Sequence, residues 1–73
     1  MVPRLSFINK LRELNYTYKT KAKRTSLWRK IGGSHRIALP LSEMLTDEYV
    51  MSTLRQAGCQ EDEIRTFLTS AKC

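Results

Sequence analysis

The sequence predicts an α+β fold: a helix, a three-stranded antiparallel sheet, a second helix and a short C-terminal helix, packed as two layers. Three observations predict it. Leu5, Ile8, Leu11 and Leu14 recur at helical spacing; Tyr16, Tyr18 and Thr20 alternate with polar residues; and Gly32-Gly33 separates two strand-like runs. At 73 residues the chain is one small domain, too short for a multidomain enzyme or a deep enclosed pocket.

The first helix is predicted over Leu5 to Asn15, with Asn15 as a stop because asparagine tolerates the left-handed conformation. Phe7 lies off the main stripe, where it either widens the buried face or stays exposed as an anchor for a partner. From Tyr16 to Leu39 the chain reads as strands. The first carries the Tyr16, Tyr18, Thr20 alternation. A basic corner, Lys21-Ala22-Lys23-Arg24, leads to a second strand over Thr25 to Ile31. Gly32-Gly33 is a two-residue hairpin signal, since glycine supplies positive φ at both turn positions without a steric penalty. A third strand then runs from Ser34 to Leu39, and Pro40 ends it.

That turn predicts a register in which Lys30 faces His35, Arg29 faces Arg36 and Trp28 faces Ile37. Trp28, Ile37 and Leu39 then share the core face, with Lys30 and His35 on the same side towards the tip. Arg29 and Arg36 fall together on the other face, either as a cradle for a phosphate or carboxylate or as two side chains splayed into water. Beyond Pro40, Thr46-Asp47-Glu48 forms a cap and acidic first turn for a helix carrying Val50, Leu54 and Ala57, stopped by Gly58. A short helix follows, with Glu61-Asp62-Glu63 at its start and Ile64, Phe67 and Leu68 as its apolar edge. Residues 1–4 and 69–73 are expected to fray.

Charge is segregated along the chain. Residues 1–36 hold ten Lys/Arg and one acid, a balance of +9, while residues 37–73 hold three bases and six acids, a balance of −3. Such polarity concentrates potential on one face and draws phosphate backbones or acidic protein surfaces to it; the plainer alternative is a solvated face that keeps the protein soluble.

Catalytic signals are weak by comparison. Ser34-His35 could contribute a general base, but the nearest acid, Glu43, lies beyond Pro40 and nothing brings it into reach. His35 reads as an ordinary sheet residue. Cys59 and Cys73, with one histidine in the chain and no CxxC, read as reduced thiols, one half-buried and one on the tail. No metal or other cofactor is expected. A helix-turn-helix over Thr53 to Ile64 is disfavoured because its second helix opens with three acids, which phosphates would repel. No apolar run approaches the roughly 18 residues of a membrane span, and the start has no long apolar region of the secretory kind. A cytoplasmic, monomeric protein is expected.

Two resemblances add to this. Leu45 through Gly58, above all Leu54-Arg55-Gln56-Ala57-Gly58 after Leu39-Pro40, is similar to the C-terminal half of HicA-type toxins. Those are RNA-cleaving proteins of double-stranded-RNA-binding-like fold. Their signature Gly-Ser-His would align, on Pro40, with the region of Ser26, where this chain has no histidine; Gly33-Ser34-His35 falls about nine residues later, at the turn. The resemblance therefore implies the fold and RNA binding with a degenerate nuclease site.

Over its full length, including Met1-Val2-Pro3-Arg4-Leu5, the chain resembles the small transcription regulators of bacteriophage, of the kind found in a Xanthomonas phage, that bind bacterial RNA polymerase. This resemblance implies a non-enzymatic inhibitor of host initiation that binds the large polymerase subunits and displaces the sigma factor, with antitermination as a further activity. The residues expected to meet a partner are Arg4, Leu5, Phe7, Lys10, Lys19, Lys21, Lys23, Arg24, Arg29, Lys30 and Arg36. The cationic ones among them would equally suit a nucleic acid.

Overall fold

A computed structural model describes residues 1–71. In chain order the elements are β1 (Val2–Pro3), α1 (Arg4–Glu13), β2 (Tyr16–Lys21), β3 (Thr25–Lys30), β4 (Arg36–Pro40), β5 (Met44–Leu45), α2 (Asp47–Gln56) and α3 (Glu61–Ala71). β2, β3 and β4 form an antiparallel sheet in that order, and β1 pairs with β5 in a second, two-stranded sheet. The α+β class and the sequence of helix, three strands and two helices are those predicted. Lys72 and Cys73, expected as a frayed end and a second thiol, lie outside the described residues.

The predicted register holds: Trp28 pairs with Ile37 and Arg29 with Arg36. The turn itself is wider. The ladder closes at Arg29 and Arg36, Lys30 N–H donates to the His35 carbonyl at 3.0 Å, and only Gly32 of the two glycines has positive φ, at 78°. Because the loop widens equally on both sides of Gly32-Gly33, the pairing is unchanged. β4 accordingly starts at Arg36 and takes in Pro40, whose missing N–H falls on the outer edge of the sheet.

Two local irregularities depart from simple periodicity. In β2 the register shifts between Tyr18 and Thr20, so that Tyr18 pairs with Trp28 but Thr20 pairs with Leu27. Lys19 is the extra residue, and Thr20 moves to the face opposite the two tyrosines. In α1 the buried residues are Phe7, Ile8 and Leu11, whereas Leu5 is 73% exposed. A three-residue spacing drifts about 60° per step on a helix, so a stripe running from Leu5 to Leu14 cannot stay on one face. Phe7, four residues before Leu11, takes the place that Leu5 was expected to fill.

One core joins the layers. Tyr16, Trp28, Ile37 and Leu39 from the sheet meet Phe7, Leu11, Val50, Leu54 and Ile64 from the helices. Phe7 is the hub, with its ring centroid 6.0 Å from Tyr49 in α2 and 6.3 Å from Phe67 in α3. Helix ends follow the sequence. Asn15 has φ 67°, Thr46 Oγ1 accepts from Tyr49 N–H at 3.1 Å, and Gly58 has φ 94°. α3 is longer than expected: Thr69 to Ala71 continue it, making eleven residues.

The N-terminus does not fray. Val2 is fully buried and pairs with Leu45, Pro3 pairs with Met44, and the Met1 amino group lies 3.0 Å from Asp47 Oδ1. α1 has no side-chain cap; the Arg4 N–H is taken up by the Glu43 carbonyl at 2.8 Å, an extension of the same two-stranded pairing. The Arg4 side chain then reaches across the sheet, Nε donating to the Pro40 carbonyl at 3.1 Å and Nη2 to Ser26 Oγ at 3.2 Å. Ser26 is 2% exposed and also accepts from Trp28 Nε1 at 3.1 Å. Removing that oxygen strands two donors. Ser26→Ala is therefore expected to lower unfolding free energy by about 1–3 kcal/mol in chemical denaturation, despite the small loss of volume.

Candidate interaction surface

Between Glu13 and Glu43 the chain contains seven basic residues and no acid, and that stretch is the three-stranded sheet with its loops. Since one face of the sheet is buried against the helices, the charge gathers on the other face and along the edges. Arg29 and Arg36, paired across β3 and β4, are both exposed on the outer face, beside exposed Thr17 and Ala38. Lys19 and Lys21 occupy the free edge strand β2, and Lys23 and Arg24 the hairpin after it; all four are exposed. None of these six side chains has a salt bridge among the described residues. The acids are elsewhere, and several of them are paired. Asp47 meets the Met1 amino group, Glu63 meets Lys10 at 3.2 Å, and Glu61 binds Arg55 through a guanidinium fork. That fork, by hydrogen bonding, holds the Glu61 carboxyl below its ordinary range.

Four residues expected at a partner surface are placed differently. Phe7 is fully buried, because the helix pitch turns it into the core. Arg4 is half-buried with its guanidinium bonded to Pro40 and Ser26, so it braces the fold. The Lys10 side chain is only 14% exposed and bridges Glu13 and Glu63. Lys30 is half-buried on the core face, with Nζ 5.4 Å from the centroid of the Tyr16 ring. Leu5, by contrast, is exposed, as expected of a residue at such a surface.

His35 precedes β4, and its Nδ1 lies 2.6 Å from Tyr16 Oη. No carboxylate bonds to it among the described hydrogen bonds. Cys59 is half-buried, near Lys10, Lys30 and Glu63. Burial first, and then the hydrogen bond to and charge of Glu63, push its thiol up to about 11. Burial, with a smaller contribution from Cys59, likewise raises the Tyr16 phenol. Among the described residues no three His, Cys, Asp or Glu side chains gather as a metal site requires, and no helix is long and apolar enough to cross a membrane.

Sequence reasoning missed two exposed apolar residues, Leu41 and Met44, which stand beside Pro3 and Leu5. Neither belongs to a periodic run, and what brings them to Leu5 is the pairing of β1 with β5, a long-range contact without a local signal. No family model, curated protein or solved structure matches this chain.

Two outcomes follow from this geometry. Arg36→Glu, which sets an acid opposite Arg29, is expected to stabilise the free protein by about 0.2–1 kcal/mol in thermal denaturation at low salt, the gain shrinking as salt rises. In a Cys73→Ser background, Cys59 should react with iodoacetamide at pH 8 about a hundredfold more slowly than an ordinary thiol, because so little thiolate is present.

Proposed function

We propose that the protein is a non-enzymatic binding module whose cationic sheet docks on an acidic surface of bacterial RNA polymerase and inhibits initiation of host transcription. The whole-chain resemblance supplies the identity of the partner, its large subunits, and the displacement of the sigma factor as the mode of action; an effect on termination belongs to the same reading. The single observation that supports a docking role is the set of six exposed basic side chains, Lys19, Lys21, Lys23, Arg24, Arg29 and Arg36, on an acid-free sheet.

Physical chemistry favours this use of the surface. Clustered cations that lack internal partners attract an acidic partner from a distance and accelerate encounter by roughly 10–1,000-fold. A protein that acts by occupancy needs no nucleophile or general base, and the raised Cys59 thiol is poorly suited to be one. The module would work as a monomer in the bacterial cytoplasm, at about one copy per polymerase.

A second reading, binding of RNA or another nucleic acid, draws on the same cations and on Tyr18, which is 53% exposed on the edge strand where a base could stack. This is the reading that the HicA-type resemblance implies. Salt separates the two. Neutralising six phosphates would weaken binding by orders of magnitude over a few-fold rise in salt, whereas a mixed protein interface responds less steeply.

The tagged protein is expected to retrieve the large polymerase subunits from bacterial lysate and to suppress promoter-dependent transcription in a reconstituted assay. A Lys23→Glu, Arg24→Glu, Arg29→Glu, Arg36→Glu variant should do neither while keeping its fold by circular dichroism. Recovery of ribosomal RNA alone, or equal retrieval by the variant, would contradict the proposal.

A further inference from the structure

The exposed apolar side chains of this molecule are not scattered. Among the described residues six large hydrophobics are exposed, and three of them, Leu5 (73%), Met44 (43%) and Leu41 (40%), line one groove of about 400 Å³ together with Pro3, Arg4 and Glu43. A cluster of this kind on a small domain marks a contact surface more often than isolated exposed residues do.

Each wall of the groove is held open by the fold. Leu5 lies at the edge of the helical stripe that α1 turns inward. Met44 points out because its neighbour in the two-residue strand, Leu45, points in and is 3% exposed. The Arg4 side chain could otherwise lie over these residues, but its guanidinium is fastened to the Pro40 carbonyl and Ser26 Oγ. Pairing of Val2 with Leu45 and Pro3 with Met44, and the bond from Arg4 N–H to the Glu43 carbonyl, tie the two walls together. The site is thus formed before anything binds, which keeps the ordering cost of association low.

Charge around the groove selects the occupant. The Leu41 N–H donates to the Arg24 carbonyl at 3.2 Å, which brings the exposed Lys23-Arg24 hairpin alongside. The groove itself is lined by one base, Arg4, whose guanidinium is already bonded, and one acid, Glu43, so the free positive charge beside it is that of the adjoining Lys23-Arg24 hairpin. We propose that this groove docks an apolar side chain presented by an acidic segment of a protein partner, with Leu5, Leu41 and Met44 receiving the side chain and the Lys23-Arg24 hairpin receiving the acid. Methionine suits such a place, since its unbranched chain adapts to the shape presented. The groove is distinct from the Arg29–Arg36 face and does not depend on which macromolecule that face meets.

The test uses a fluorescein-labelled ten-residue peptide with two leucines among glutamates, and the same peptide with both leucines replaced by serine. Titrated into nitrogen-15-labelled protein, the leucine peptide should shift the amides of Leu5, Leu41, Met44 and Arg24 saturably, and the serine peptide should not. Leu5→Asp, at an exposed position that the core does not use, should weaken the leucine peptide by about tenfold or more. Met44→Ser should act in the same direction, and Arg24→Glu should weaken binding and flatten its salt dependence. Equal binding of the two peptides, or unchanged affinity in Leu5→Asp and Met44→Ser, would overturn the proposal. So would a dimer by sedimentation that Leu5→Asp converts to monomer, since the groove would then belong to a second copy.

Discussion

Everything in this molecule is arranged around a sheet that has no acid of its own. From Leu14 to Ser42 the chain places seven bases and no carboxylate, so the three strands cannot neutralise their own charge. The helices cannot do it either. The acids of α2 and α3 sit at helix starts, where they suit the macrodipole, and three of them, Asp47, Glu61 and Glu63, are held by the Met1 amino group, Arg55 and Lys10. Hydrophobic burial fixes the remaining choice, because Trp28, Ile37 and Leu39 must face the helices and alternation then sends Arg29 and Arg36 to solvent together. The fold tolerates that pair of like charges across a ladder, with both side chains exposed on the outer face.

The N-terminal strap is the second structural theme. One buried hydroxyl, Ser26 Oγ, accepts from Arg4 and from Trp28, and so links the strap, the central strand and the core tryptophan in a single junction. The same arginine holds the Pro40 carbonyl at the outer edge of β4, while Tyr49 Oη donates to the Ala38 carbonyl at 2.7 Å. Two outward carbonyls of that edge are therefore capped and Pro40 offers no N–H, which discourages a further strand from adding there. The opposite edge, β2, is guarded differently, by Lys19, Lys21 and the bulge at Lys19. The sheet thus presents its charge without inviting indiscriminate pairing.

Much of this was legible from local chemistry. Gly32-Gly33 located the centre of the hairpin and hence the Arg29–Arg36 pairing, because a register depends on where a turn is centred and not on how many residues it spans. Asn15, Thr46 and Gly58 marked helix ends through conformations and caps that are properties of those residue types. What escaped was long-range. Nothing around Val2-Pro3 announces that Met44-Leu45, some forty residues away, will pair with it. Without that pairing the terminus reads as frayed, Arg4 as free, and Leu5 and Met44 as unrelated. Phe7 was ambiguous between core and surface until the pitch of α1 settled it.

On the proposed function, the bare cationic sheet and not the helical layer meets the partner. Chemical-shift mapping of the nitrogen-15-labelled protein during titration with the large polymerase subunits tests it most directly. Perturbations are expected to concentrate at Lys19, Lys21, Lys23, Arg24, Arg29 and Arg36. Changes confined to the exposed surfaces of α2 and α3, or a spectrum unmoved at saturating polymerase, would contradict it.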